Sequence, residues 1–470
     1  MNLYDRLAAR FPTDRTKPCF LLEGGQISYG ELEAGAGRLA SLLISKGVVP
    51  GDRVAVQTEK TPQAVMLYLA TLKAGAVFLP LNTAYTASEV DYFLTDAEPA
   101  LFVTDAVALA AEAATVAPLE TTVPRADDDL ASIIYTSGTT GRSKGAMLTH
   151  GALYANATAL HEAWGFTPAD VLLHALPIFH VHGLFVALHC AFLSGAPMVW
   201  LARYEDAPVL AGLARSTVMM GVPTFYTRLL NNPGFTRQAA AHMRLFICGS
   251  APLLESTFAE FEARTGQAIL ERYGMSEAVI ITTNPLAGER IAGSVGYPLP
   301  GVALRIGGPD PTGVIEIKGP SVFSGYWRMP DKTAEDFTAD GYFMTGDVGR
   351  QDADGRVWIS GRAKDLIICG GYNVYPKEIE LILDELPGVT ESAVIGLPHP
   401  DFGEAVAAVV IGSGDEAVMI ATAREKLAAF KAPKRIFFVD DLPRNAMGKV
   451  QKNLLRAAYA STFTDETPSG

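Results

Sequence analysis

The run Tyr135-Thr-Ser-Gly-Thr-Thr-Gly-Arg-Ser-Lys-Gly145 directly follows the apolar residues Ala131–Ile134. A strand, then a loop of Gly, Ser and Thr, then a lysine is a composition suited to phosphate. Glycines such as Gly138 let backbone N–H groups approach an oxyanion. The hydroxyls of Thr136, Ser137, Thr139 and Thr140 add donors, and Lys144 adds charge. The spacing departs from the Walker pattern G-x-x-x-x-G-K-[ST], because Lys144 follows Ser143 and precedes Gly145, so an ordinary P-loop ATPase is disfavoured. A Gly/Ser surface turn is the competing account, and the density of phosphate-compatible residues weighs against it.

The surrounding elements must hold such a loop in place. The chain has 470 residues, a length that suggests roughly three structural units, and a formal net charge of −13. That balance disfavours nucleic-acid binding and requires a local cationic or N–H site for any polyanion. Cys19, Cys190, Cys248 and Cys369 lie far apart, which disfavours a disulfide framework or zinc site and fits a reducing compartment. No secretory signal is read at the N-terminus. The apolar stretch Gly183–Ala202 is broken by Gly195 and Pro197. It reads as a helix from near Leu184, too short for the ~20 residues of a bilayer span, followed by strand Met198–Leu201. No membrane association is expected.

Ser28 with Glu31 forms a capping box for a helix closed by Gly47, and Thr61-Pro62 opens another that runs to about Gly75. Strands are predicted at Arg53–Val56, Val77–Leu81, Val171–Ala175, Thr217–Met220, Leu245–Cys248 and Ala268–Glu271. Strands alternating with helices predict an α/β fold, mainly parallel sheets covered by helices. After about Gly293, short strands (Val302–Ile306, Gly313–Lys318, Arg356–Ile359) suggest a smaller, more antiparallel β region. A helix from Pro376, strands Ser392–Ile395 and Val406–Ile411, a helix near Ala421–Phe430 and strand Arg435–Val439 form a small α+β C-terminal unit.

The loop at Thr136 resembles the phosphate signature of the adenylate-forming enzymes: acyl-CoA synthetases, firefly-type luciferases and adenylation domains. Gly249-Ser-Ala-Pro252, Arg272-Tyr-Gly-Met-Ser-Glu277, Tyr342-Phe-Met-Thr-Gly-Asp347, Gly361-Arg-Ala-Lys-Asp365 and Pro443-Arg-Asn-Ala-Met-Gly-Lys449 are similar to further signatures, in the family's order. Leu79-Pro-Leu-Asn-Thr-Ala-Tyr85, His174 to Leu184 and Gly221 to Arg228 look most like malonyl-CoA synthetases. The resemblance implies a domain at 1–362 that binds ATP and acid, and a mobile domain at 363–470. It also implies a two-step reaction. A carboxylate attacks the α-phosphorus of ATP and releases pyrophosphate. The thiol of coenzyme A then attacks the acyl-adenylate and releases AMP.

Roles follow by the same resemblance. Thr136, Ser137, Gly138, Thr139, Thr140 and Lys144 would cradle the phosphates, with Thr136, Glu277 and Lys449 catalytic. Glu277 would ligate Mg²⁺, a hard cation that takes one or two protein carboxylates beside phosphate and water. Gly249, Ser250, Ala251, Pro252, Tyr273, Gly274, Met275 and Ser276 would border the adenine and its ribose-phosphate. Asp347 and Arg362 would bind the ribose, and Lys449 would reach the carboxylate and phosphate during adenylation. Asp365 would be the hinge, and His180, Gly370 and Gly371 would line the coenzyme A tunnel.

Substrate choice rests on Arg272, a position often small in relatives that take hydrophobic acids, and on His182. A guanidinium fork and an imidazole can hold a second carboxylate, whereas a monocarboxylate would leave that arginine desolvated and unpaired. The expected acid is malonate, with methylmalonate or a short- to medium-chain monocarboxylate as alternatives. An ion pair of Arg272 with Glu271 or another acid, with His182 as a core histidine, is the structural competitor. The apolar run Ala278-Val-Ile-Ile-Thr282 departs from the polar stretch associated with malonyl-CoA synthetases. A carrier-loading domain and a catalytically silent scaffold are the remaining rivals. A cytoplasmic monomer or weak homo-oligomer is expected.

Overall fold

Short apolar runs, most of them followed by a helix, become the parallel strands of the molecule. The computed structural model describes residues 1–136, 143–370, 372–444 and 448–463. Two compact units divide the chain: Met1–Leu304 with Ile317–Phe343 and Gly355–Val357, and Arg305–Glu316 with Met344–Asp354 and Trp358–Gly470.

In the larger unit, one sheet runs in the order Leu101–Val103, Arg53–Val56, Val77–Pro80, Leu130–Thr136, Lys144–Thr149. The first four strands are parallel and the last is antiparallel to its neighbour. A second sheet places Met198–Trp200, Leu172–His174, Val218–Gly221, Leu245–Cys248 and Leu270–Tyr273 side by side and parallel. Thr282–Thr283 and Ser294–Pro298 continue it antiparallel. The capping box at Ser28 and Glu31 opens helix Tyr29–Ser45, and Thr61 caps Pro62–Lys73. Each leaves a buried apolar face, here Leu32, Ala36, Leu39 and Leu43, and Val65, Leu69 and Leu72. Burying such faces drives the packing.

The helix expected from near Leu184 begins earlier, as a π-helical turn His182–Ala187 that passes into α-helix Leu188–Ser194 and stops at Gly195 (φ 67°). This π-turn carries His182, and such turns are frequent at functional sites. No described helix is long and apolar enough to cross a membrane.

In the smaller unit, Val389–His399 and Gly403–Gly412 form a long antiparallel pair. The other edge of Gly403–Gly412 pairs with Cys369 of strand Ile367–Cys369 at Gly403, antiparallel, and with Arg435–Val439 along Ala407–Ile411, parallel. Helices Pro376–Asp384 and Glu416–Lys426 pack Ile379, Leu383, Met419 and Ala423 on one face, and Leu455 of helix Lys452–Ala458 packs on the other. The helix expected near Ala421–Phe430 lies at Glu416–Lys426, because Asp415 caps it, accepting from the Val418 N–H at 3.0 Å.

Candidate active site

On either side of the phosphate-compatible run, strands Leu130–Thr136 and Lys144–Thr149 pair antiparallel, Thr136 opposite Lys144, and the Thr136 hydroxyl donates to the Lys144 carbonyl at 3.3 Å. Ser137, Gly138, Thr139 and Thr140 lie outside the described residues. Lys144 emerges from the hairpin with Nζ 4.0 Å from the ring centre of Tyr326 and 3.6 Å from Asp336 Oδ2. The Tyr326 hydroxyl donates to Glu277 Oε1 at 3.3 Å. Burial, with the charges of Glu277 and Asp336 beside it, pushes the phenol far above its usual range, so it stays a donor. Lys144 and the buried carboxylate of Glu277 therefore share one aromatic side chain. Tyr326 and Asp336 escaped the sequence reading. Their only signal is the aromatic run Ser324-Gly-Tyr-Trp327 before Pro330.

Glu277 is aimed by a tight return between Tyr273 and Thr282, which pair across the hairpin. Gly274 is required there: a Cβ would meet the Val279 carbonyl oxygen at 1.9 Å. Val279 is left-handed (φ 58°) and 1% exposed, a costly conformation for a β-branched residue that persists only where its surroundings impose it. The surroundings are visible. Asn156 Nδ2 donates to the Ile280 carbonyl at 2.7 Å, and the Phe323 N–H donates to the Glu277 carbonyl at 2.7 Å. Met275 and Ser276 are half-buried in the same return, and the Tyr273 ring is buried at its start.

One residue before that ring, Arg272 is 5% exposed, and its Nε and Nη2 have no hydrogen-bond partner among the described residues. Burial lowers its pKa to about 10. Glu271 does not pair with it. That carboxylate accepts from the Gly293 N–H at 3.2 Å and is pushed up to about 8 by burial. Adjacent strand residues point to opposite faces, so an Arg272–Glu271 ion pair does not form. The Arg272 guanidinium lies over Gly249, where a Cβ would come within 2.6 Å of Cζ. The next residue, Ser250, bonds His182 Nδ1 through Oγ at 3.3 Å. Ala251 and Pro252 continue this turn on the surface. His182 is 2% exposed, and its Nε2 also lacks a partner among the described residues. Burial, with Arg272, His180 and His174 nearby, holds the imidazole neutral, well below its usual pKa. The Nδ1 of His180 accepts from the His182 N–H at 3.3 Å. Two buried nitrogenous side chains thus carry unmatched polar atoms, a costly state unless a ligand pairs with them.

The smaller unit gathers a second group. Arg362 Nε and the buried Asp347 Oδ1 are 2.6 Å apart. Desolvation, with Arg362 and Lys449 adding repulsion, lowers Lys364 to about 8. Asp365 accepts from Arg456 Nη2 at 3.0 Å. Gly370 is left-handed (φ 59°) in the turn that joins Ile367–Cys369 to Tyr372–Val374. Gly371 lies outside the described residues.

Residues 4–327 match the AMP-binding enzyme family, and residues 378–449 match the AMP-binding enzyme C-terminal domain. The chain belongs to the AMP-binding enzyme family. Among solved AMP-binding enzymes, ATP-bound MatB from Rhodopseudomonas palustris superposes with a TM-score of 0.94 at 50% identity, covering 98% of this chain and 99% of that one. The O-succinylbenzoate coenzyme A synthetase of Bacillus subtilis, in complex with AMP, gives 0.89 at 28% identity over 97% and 98%. Among curated relatives, the malonate–CoA ligase of Arabidopsis thaliana is 35% identical over 92% of this chain and 85% of its own. The sulfoacetate–CoA ligase of Cupriavidus necator is 35% identical over 95% of each.

Proposed function

We propose that this AMP-binding enzyme ligates malonate to coenzyme A through malonyl-adenylate, releasing pyrophosphate and then AMP. Buried Arg272, whose Nε and Nη2 have no partner among the described residues, lies near His182 and carries the reading on the substrate side. A buried guanidinium with polar atoms unmatched among the described residues favours an acid that brings its own second anion. Relatives named for malonate and for sulfoacetate both take acids with a second anionic head, which supports such a clamp.

In the first half-reaction an oxygen of the near carboxylate attacks the α-phosphorus, and pyrophosphate leaves. Two anions approach each other, so positioning and charge neutralisation supply most of the catalysis. Thr136, Ser137, Gly138, Thr139, Thr140 and Lys144 hold the phosphates. The buried carboxylate of Glu277, oriented by Tyr326, suits a Mg²⁺ ion bound otherwise by phosphate and water, which would neutralise charge on the nucleotide. Gly249 to Pro252 and Tyr273 to Ser276 form the nucleotide wall, and Asp347 and Arg362 take the ribose hydroxyls. Lys449 brings a point charge to the reacting oxygens. In the second half-reaction the coenzyme A sulfur attacks the acyl carbonyl and AMP departs, with His180, Gly370 and Gly371 on the thiol's path. We place the functional boundary at 362/363 and the hinge at Asp365, for a cytoplasmic enzyme that is a monomer or weak homo-oligomer.

The test is kcat/KM for malonate, methylmalonate, succinate and acetate, followed by pyrophosphate release. Malonate should lead. Acetate at parity with malonate would sink the dicarboxylate reading.

A further inference from the structure

Ser250 is a non-glycine residue held at φ 71°. A left-handed backbone there is comfortable for glycine and costly for serine. The side chain is exposed overall, yet its one described contact runs inward, from Oγ to Nδ1 of the buried His182 at 3.3 Å. The opposite ring nitrogen, Nε2, is buried without a partner among the described residues. A neutral imidazole carries one proton, and the bond at one nitrogen decides where it sits. If Nδ1 carried the proton, Nε2 would present a lone pair to an anion and repel it. If the Ser250 hydroxyl donates to Nδ1, the proton lies on Nε2 and the ring becomes a donor.

We infer that Ser250 is a positioning residue for acid selection: its hydroxyl fixes the Nε2–H tautomer of His182, so that the imidazole and Arg272 together bind the far carboxylate of the acid. This rests on the dicarboxylate reading above. It gives Ser250 a task separate from bordering the nucleotide, and it accounts for a serine where the backbone favours glycine. Gly249 completes the arrangement. Its missing side chain lets the Arg272 guanidinium lie against the same turn that holds Ser250.

The test compares Ser250→Gly and Ser250→Ala with the unaltered full-length enzyme. Each is assayed with malonate and with propionate at the same ATP concentration, so any change in nucleotide handling cancels in the ratio of the two kcat/KM values. Glycine suits the backbone and removes the hydroxyl. Its malonate-to-propionate ratio should fall about tenfold, the size of one hydrogen bond to an ionised group, while its thermal midpoint holds or rises. Alanine should lose the same ratio. Nitrogen-15 shifts of His182, assigned with a His182→Asn control, should show a protonated Nε2 in the enzyme and mixed tautomers in Ser250→Gly. An unchanged ratio in Ser250→Gly, with the ratio collapsed in Arg272→Ala, overturns the tautomer role and leaves the dicarboxylate reading intact. A ratio unchanged in both overturns that reading as well. A ratio lost in Ser250→Ala but kept in Ser250→Gly assigns the effect to backbone strain and also overturns the role.

Discussion

The hydroxyl of Tyr326 donates to Glu277 at 3.3 Å while its ring carries the Lys144 ammonium 4.0 Å from its centre. One side chain therefore orients the carboxylate and packs the lysine proposed for Mg²⁺ and phosphate. Tyr326→Phe keeps the ring and removes only the orienting donor. Its adenylation rate should fall about 10- to 100-fold, the usual cost of losing such a supporting bond, with a raised Mg²⁺ requirement. Glu277→Gln should lose more. A Mg²⁺ titration of ATP–pyrophosphate exchange checks both, and an unshifted Mg²⁺ midpoint in Tyr326→Phe counts against the assignment.

Arg272 should trade stability for selectivity. Arg272→Met fills similar space without a buried charge whose Nε and Nη2 lack partners among the described residues, so the protein should melt higher. Its kcat/KM for malonate should fall about 100-fold or more, consistent with roughly 3 kcal/mol for a lost buried charge pair, and propionate should suffer less. Calorimetry and the two-acid assay together decide the matter. A lower melting point would show that the guanidinium is satisfied in the free enzyme.

Lys449 is exposed, and its proposed work belongs to the first half-reaction only. Lys449→Ala should abolish malonyl-adenylate formation, yet retain thioester formation from preformed malonyl-AMP and coenzyme A. Equal loss of both steps contradicts the role.

Glu271 should make stability depend on pH. Burial, together with nearby Glu255, pushes its folded pKa up to about 8 against the ordinary 4.5, although the Gly293 N–H opposes the shift. Between those values the folded protein keeps a proton that the unfolded chain has lost, so stability falls as pH rises from about 4.5 to 8. Glu271→Gln removes this penalty at the cost of burying an amide N–H group. It should stabilise by about 1–3 kcal/mol at pH 8 and have little effect near pH 5. Melting curves at the two pH values test the sign.

Much of the fold was legible because its causes are local. Strands Arg53–Val56, Leu245–Cys248 and Arg435–Val439 fall where short apolar runs meet turn residues, and the Ser28–Glu31 capping box starts its helix where expected. Alternation of strands and helices was enough for the parallel sheets, and motif order was enough for the family. The length of the Glu416 helix and the π-turn at His182 were not legible. A single cap fixes the first, and packing against the rest of the unit decides the second.

The residue types and their order along the chain thus determined the chemistry available to this protein: a phosphate-compatible loop, a carboxylate at Glu277, an arginine before a tyrosine. Only the tertiary structure decided which of them act together. It brought Tyr326 to Glu277 across 49 residues and the Asn156 amide to Ile280 across 124, forced Val279 and Ser250 into left-handed backbone, and buried Arg272 while Glu271 bonded the Gly293 N–H instead. Each outcome depends on burial and on contacts between residues distant in sequence, and these form only once the sheets and helices have packed.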